Sequence, residues 1–105
     1  MIYKFKSKAT GDLIMLGPHG DQLLRLLGRD PAPKGILEAA DLAEARRRLE
    51  AALAEAEAAA ARARDAGEPE DERQREAVSL RQRVWPMMQM IERATAAREA
   101  IVWGV

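Results

Sequence analysis

A chain of 105 residues with 48% hydrophobic and 32% charged residues has the length and composition of one globular domain, residues 1–105. It has no cysteine, which excludes disulfides, thiol nucleophiles and cysteine-based metal sites and fits a reducing compartment. Its 17 basic and 17 acidic residues cancel, so no whole-molecule field draws it to nucleic acid or anionic lipid. The charge is nevertheless uneven: residues 1–35 carry a net +3, residues 36–77 a net −5 and the remainder a net +2. Opposed patches of that kind suit self-association or internal pairing better than polyanion binding. No apolar run reaches the ~20 residues of a membrane span. The opening Met1-Ile2-Tyr3-Lys4-Phe5-Lys6 lacks a signal-peptide core. The expected location is the cytoplasm.

From Met1 to Ser7 the residues alternate, with Tyr3 and Phe5 on one face and Lys4 and Lys6 on the other, the period of a half-buried strand. Ala9-Thr10-Gly11-Asp12 reads as a turn. Leu13-Ile14-Met15-Leu16 then reads as a second strand buried on both faces, pairing with the first as an antiparallel hairpin. Gly17-Pro18-His19-Gly20 breaks the strand, and Asp21 is expected to cap a short helix through Leu27 that Gly28 stops. Asp30-Pro31-Ala32-Pro33 must be extended. Residues 34–38 read as either a short strand or an extended link.

Asp41 and Glu44 have capping-box spacing at the start of the longest helix. Its stripe runs Leu42, Ala45, Leu49, Ala52, Leu53, Ala56, Ala60 and Ala63 to about Arg64, changing from leucine to alanine on the way. Residues 66–78 contain the wholly polar run EPEDERQRE and are expected to form a charged mobile loop. Ser79 and Gln82 have the spacing of a second capping box, and Leu80, Val84, Met87, Met88, Ile91 and Thr95 mark a last helix interrupted at Pro86. Ile101-Val102-Trp103-Gly104-Val105 reads as a terminal strand. The expected fold class is α+β: a small, mostly antiparallel sheet of the N-terminal hairpin plus the C-terminal strand. A two-helix antiparallel pair and one short helix cover it.

Both ends of the chain carry a family resemblance. Tyr3-Lys4-Phe5-Lys6-Ser7-Lys8-Ala9 runs into Leu13-Ile14-Met15-Leu16-Gly17 and Asp21-Gln22-Leu23-Leu24. Lys34-Gly35-Ile36 marks the middle, and Val78-Ser79-Leu80-Arg81-Gln82-Arg83 with Pro86, Met90 and Val102-Trp103-Gly104 the close. Together they resemble the short proteobacterial proteins grouped as domain of unknown function eighteen-forty. The resemblance implies a bacterial cytoplasmic protein of unassigned activity and supplies no catalytic residues.

No catalytic, cofactor-binding or metal-ligating set emerges from the sequence. His19, the only histidine, stands in Gly17-Pro18-His19-Gly20 at a helix start, where free N–H groups attract anions. Gly17, His19 and Gly20 therefore form a possible anion-binding turn, although a strand-to-helix turn has the same composition. One histidine with Asp12 and Asp21 falls short of a metal ligand set. Lys4, Lys6 and Lys8 read as the solvent face of an edge strand, since the interleaved aromatics point the other way. Nucleic-acid binding is thus disfavoured. Arg81, Trp85 and Met90, beside a core stripe of Val84, Met87, Met88 and Ile91, are candidate partner contacts. So are Ala56 and Ala60, whose small side chains require a closely approaching partner. The leading expectation is a non-enzymatic structural or interaction domain that self-associates as a homodimer. The alternative is a small-molecule or anion-binding protein using the 17–20 turn. Enzymatic activity is not excluded, but one histidine and no cysteine leave little from which to build a polar site.

Overall fold

The computed structural model describes residues 2–67 and 72–105. The chain runs β1 (Ile2–Ser7), β2 (Thr10–Leu16), α1 (Gly17–Leu26), β3 (Gly35–Leu37), a single 3-10 turn (Ala39–Asp41), α2 (Leu42–Asp65), α3 (Glu72–Ala97) and β4 (Ile101–Trp103). The fold is α+β, as expected. Four antiparallel strands lie in the order β2-β1-β4-β3, so the last strand of the chain sits inside the sheet.

Tyr3 and Phe5 of β1, Met15 of β2 and Ile101 and Trp103 of β4 turn to the helical side and are buried. Against them pack Leu23, Leu24 and Leu27 at the α1 end, Leu42, Ala45, Leu49 and Leu53 of α2, and Val84, Met87, Met90, Ile91 and Ala94 of α3. The two long helices form an antiparallel hairpin, tied by Gln74, whose side-chain amide donates to the Ala60 carbonyl at 3.1 Å, and by the Arg81–Glu57 pair. Beyond Leu53 the contact narrows to Ala60, Ala63 and Ala77, all buried. Alanine lets two helix backbones approach closely, so this outer stretch holds by proximity rather than by large side chains. Among the described residues, no helix is long and apolar enough to cross a membrane.

Several expectations are corrected. The hairpin turn falls at Lys8-Ala9, so Thr10–Asp12 belong to β2. The Leu13–Leu16 run is not buried on both faces: helices cover one side of the sheet, and Ile14 and Leu16 point out of the other. The first helix begins at Gly17 rather than Asp21, with Pro18 in its first turn, where a missing N–H costs nothing. The asparate at 41 does not cap α2 with its side chain; its Oδ2 reaches back to accept the Glu38 N–H at 3.2 Å, closing the preceding 3-10 turn. Residues 72–78 of the expected loop are helical, because glutamate, arginine, glutamine and alanine are good helix formers that α2 supports from one side. Residues 68–71 of that loop lie outside the described residues. Ser79 consequently sits inside α3, where its hydroxyl accepts from Arg83. Pro86 also lies within α3, on its exposed side.

Gly28 ends α1 at φ +80°, and the Arg29 N–H bonds back to the Leu24 carbonyl at 2.8 Å. α3 ends with the same pair of bonds, Arg98 N–H to Thr95 and Glu99 N–H to Ala94, but its left-handed residue is Arg98, at φ 55°. A side-chain-bearing residue there costs about 1–2 kcal/mol, while glycine gives back roughly 0.5–1 kcal/mol in unfolded-chain entropy. Arg98→Gly is therefore expected to stabilise the protein by about 0.5–1 kcal/mol, a rise of a few degrees in Tm. Thermal denaturation followed by circular dichroism checks it, and a lowered Tm would contradict the cap assignment.

Candidate functional site

The 17–20 turn is the first place the sequence pointed to. Gly17 and Gly20 are buried and His19 is half-buried. A Cβ on Gly20 would overlap the Tyr3 ring, so this glycine lets α1 lie flat on β1. Pro18 removes one of the N–H donors that an anion cradle uses. His19 lines a crevice with Gln22, Arg83 and Val84 that has no free volume. The three residues thus serve the docking of α1 and do not converge on a common space. Asp21, one residue on, accepts a hydrogen bond from the Tyr3 hydroxyl. That bond first, then burial and the nearby carboxylate charge, holds the Tyr3 phenol above the usual tyrosine value of 10.0.

Beside α1 an open groove of about 740 Å³ lies between Gln22 and the α2–α3 hairpin, with Ala56 on its wall. Arg83 crosses its floor, donating from Nη1 to the Gln22 side-chain oxygen at 2.7 Å and from Nη2 to the Ser79 hydroxyl at 2.8 Å. These two bonds make Arg83 a strut between α1 and α3. Glu72 and Glu76 offset Arg75 and Arg83 along the rim, so the groove has no net charge to select an ion. Among the described residues no three His, Asp or Glu side chains gather as metal ligands.

The other candidates separate on the surface. Met90 and Ala60 are each 4% exposed and belong to the interior, Met90 under β2 and Ala60 against α3. Met88, expected in the core stripe, is only half-buried, and Met90 takes its place. Ala56 is half-buried on the groove wall, and Arg81 is paired with Glu57. Trp85 alone presents a large apolar surface, at 50% exposure, with Val78 two helical turns before it on α3. The alanine stripe of α2 has its close partner within the chain.

The surface that sequence reasoning missed is the outer face of the sheet. Ile2 and Ile14 are 64% exposed and Leu16 60%, and they form one corner, since Ile2 pairs directly with Leu16. Ile36 and Val102, opposite each other on β3 and β4, continue the apolar surface on the far side. Between them stand Lys4 and Lys6, with Lys4 3.5 Å from Asp12 of β2. Parity could have revealed it: Asp12, Ile14 and Leu16 lie on one face of a strand, and a charge on that face argues against burying it.

Removing the Tyr3 hydroxyl isolates its contribution. Tyr3→Phe is expected to cost about 1–2 kcal/mol at neutral pH by leaving Asp21 without its donor. With the folded-state pKa raised above the unfolded one, this contribution is complete below about pH 10 and is lost as pH rises through the folded value. An alkaline denaturation series should show the wild-type protein losing stability above pH ~10, with the loss reduced in Tyr3→Phe. Parallel wild-type and variant curves would remove the Tyr3–Asp21 bond from the account.

A family model described as a domain of unknown function, DUF1840, matches residues 1–103. No curated protein and no solved structure matches the chain. The match spans every strand and helix described above, and the chain belongs to the DUF1840 family.

Proposed function

We propose that the protein is a non-enzymatic interaction domain that self-associates as a homodimer through the outer face of its sheet. The observation that carries this reading is the exposed corner Ile2, Ile14 and Leu16 on a sheet whose other face is already packed. Two sheets stack about 10 Å apart with their side chains interdigitating, so a second copy would bury these residues against their own equivalents. Lys4 pairs directly with Ile14 and, with Lys6 beyond it, borders the corner on β1, where the long side chains can carry their charge to a wet rim. The absence of cysteine supports a cytoplasmic setting. The alanines of α2 do not supply this interface, because α3 covers them.

Native mass spectrometry of the wild-type protein, alongside Ile14→Lys, tests the proposal. Ile14 is largely exposed, so the substitution should leave the folding stability within about 0.5 kcal/mol. The expected outcome is a wild-type dimer and a monomeric Ile14→Lys with an unchanged Tm. A wild-type monomer at micromolar concentration would overturn self-association. A dimer untouched by Ile14→Lys would move the interface elsewhere.

A further inference from the structure

The sheet has two edges, and the chain treats them differently. β3 is three residues long, and Arg29 bonds to its Ile36 carbonyl at 3.0 Å while also pairing with Asp41 at 3.4 Å. That edge is short and capped. β2 is seven residues long, Thr10–Leu16, and pairs with β1 on one side only. Among the described residues, no other backbone bond satisfies its outward N–H and C=O groups. It contains no proline and no lysine, and its single charge, Asp12, is turned towards Lys4. A register shift between its Thr10 and Leu13 disturbs the start of the strand, but Leu13–Leu16 pair regularly with β1 and carry no charge or proline to blunt that edge.

Directly beneath this edge lies α3. Pro86, Gln89, Met90 and Arg93 fall at i, i+3, i+4 and i+7 and so share one face of the helix. With Thr10–Leu13 they line a groove of about 250 Å³. Asp12 also lines this groove but pairs with Lys4 at 3.5 Å, and among the described residues Arg93 has no ion pair.

We infer that β2 and α3 together form a docking groove for an extended segment of a partner protein, which adds a fifth strand to the sheet and places an acidic side chain against Arg93. Main-chain bonds to β2 would supply the affinity, and alternate side chains would meet different walls. One set lies over Pro86, Gln89 and Arg93. The other lies on the outer face beside Ile14 and Leu16. A second copy of this domain does not fit the same edge. Paired β2 strands would stand about 4.8 Å apart, yet the α3 helices beneath them need about 8–10 Å between axes. A lone strand brings no helix with it. The groove and Arg93 lie on the helical side of the edge, so this contact uses different residues from the proposed self-association, although the docked strand's outward side chains would border that face.

The test uses synthetic peptides and the full-length protein. The first peptide alternates valine and threonine over seven residues with glutamate replacing the central threonine. A second has lysine in that place, and two more carry N-methyl groups on one or the other alternate set of amides. Titrations are followed by amide chemical shifts in NMR spectra and by fluorescence anisotropy. The expected result is saturable binding of the glutamate peptide, with shifts concentrated in residues 10–16 and around Arg93. The lysine peptide should bind at least tenfold more weakly. Methylation of one amide set should abolish binding while methylation of the other is tolerated. In Arg93→Glu, an exposed substitution, the preference should reverse in favour of the lysine peptide, which shows that the variant remains folded. Failure of both peptides to bind, equal affinity for the two, or shifts confined to β3 or the α1 groove would overturn the inference.

Discussion

Trp103 occupies the position from which the separate pieces of the sheet are joined. It pairs with Phe5 of β1 on one side and with Gly35 of β3 on the other. Its ring lies 5.7 Å from that of Phe5, and its indole N–H donates to the Ala32 carbonyl at 3.1 Å, fixing the proline-containing link before β3. A Cβ at Gly35 would overlap the indole, so that residue is small because the tryptophan is there. The strand carrying Trp103 is the last in the chain and lies between β1 and β3. The N-terminal hairpin and β3 therefore share no sheet until the whole α2–α3 hairpin has folded back and delivered β4. Such non-local closure is slow in entropy terms, and it makes β4 and the core of the long hairpin mutually dependent.

That dependence also decides which face of the sheet is covered. All three helices meet the sheet on the side of Tyr3, Phe5, Ile101 and Trp103. Among the described residues no element covers the other side. The consequence is visible in β2, whose apolar residues divide by parity: Met15 enters the core, while Ile14 and Leu16 face outward. A run of four apolar residues looks the same in sequence whether one face or both are covered. Only the count of helices available for each face distinguishes the cases, and that count follows from the three-dimensional path rather than from local composition.

The elements with a strong period were legible for that reason. The β1 alternation, the α2 stripe and the Gly28 stop each follow from residues within a few positions of one another, and each holds in the structure. The failures share a different cause. Residues 72–76 have no apolar residue to signal a period, yet they are helical; Ala77 is buried, as are Ala60 and Ala63 of α2, while Val78 stays exposed. The Asp21 and Ser79 caps failed because each helix begins before them, at Gly17 and by Glu72; inside the helices Asp21 accepts from distant Tyr3 and Ser79 from Arg83 one turn on. Met88 and Met90 exchanged roles because α3 packs against both β2 and α2, which widens its buried face beyond one narrow stripe. Of the candidate sites, Gly17 and Gly20 read in sequence as an anion-binding turn and Ala60 as a residue that needs a close neighbour. In the structure the close neighbours lie within the chain: Tyr3 for Gly20 and α3 for Ala60.

The chain satisfies its own polar groups in some places and leaves them open in others. The charged residues of α2 are largely paired with one another, as in Arg46–Glu50 at 2.8 Å and Arg62–Glu55 at 3.1 Å. Such exposed pairs contribute little stability, but they leave the helix surface without a net field to attract a partner. Arg83 is likewise held by two neutral acceptors, and Arg29 closes the β3 edge. The same chain that caps its three-residue edge leaves its seven-residue edge open, and leaves isoleucine and leucine on the sheet beside it. An open edge next to apolar surface is an aggregation liability for a protein that has no use for it. The proposed self-association and the inferred strand docking both rest on this asymmetry, whereas at the histidine turn and the polar groove internal contacts already engage the residues present.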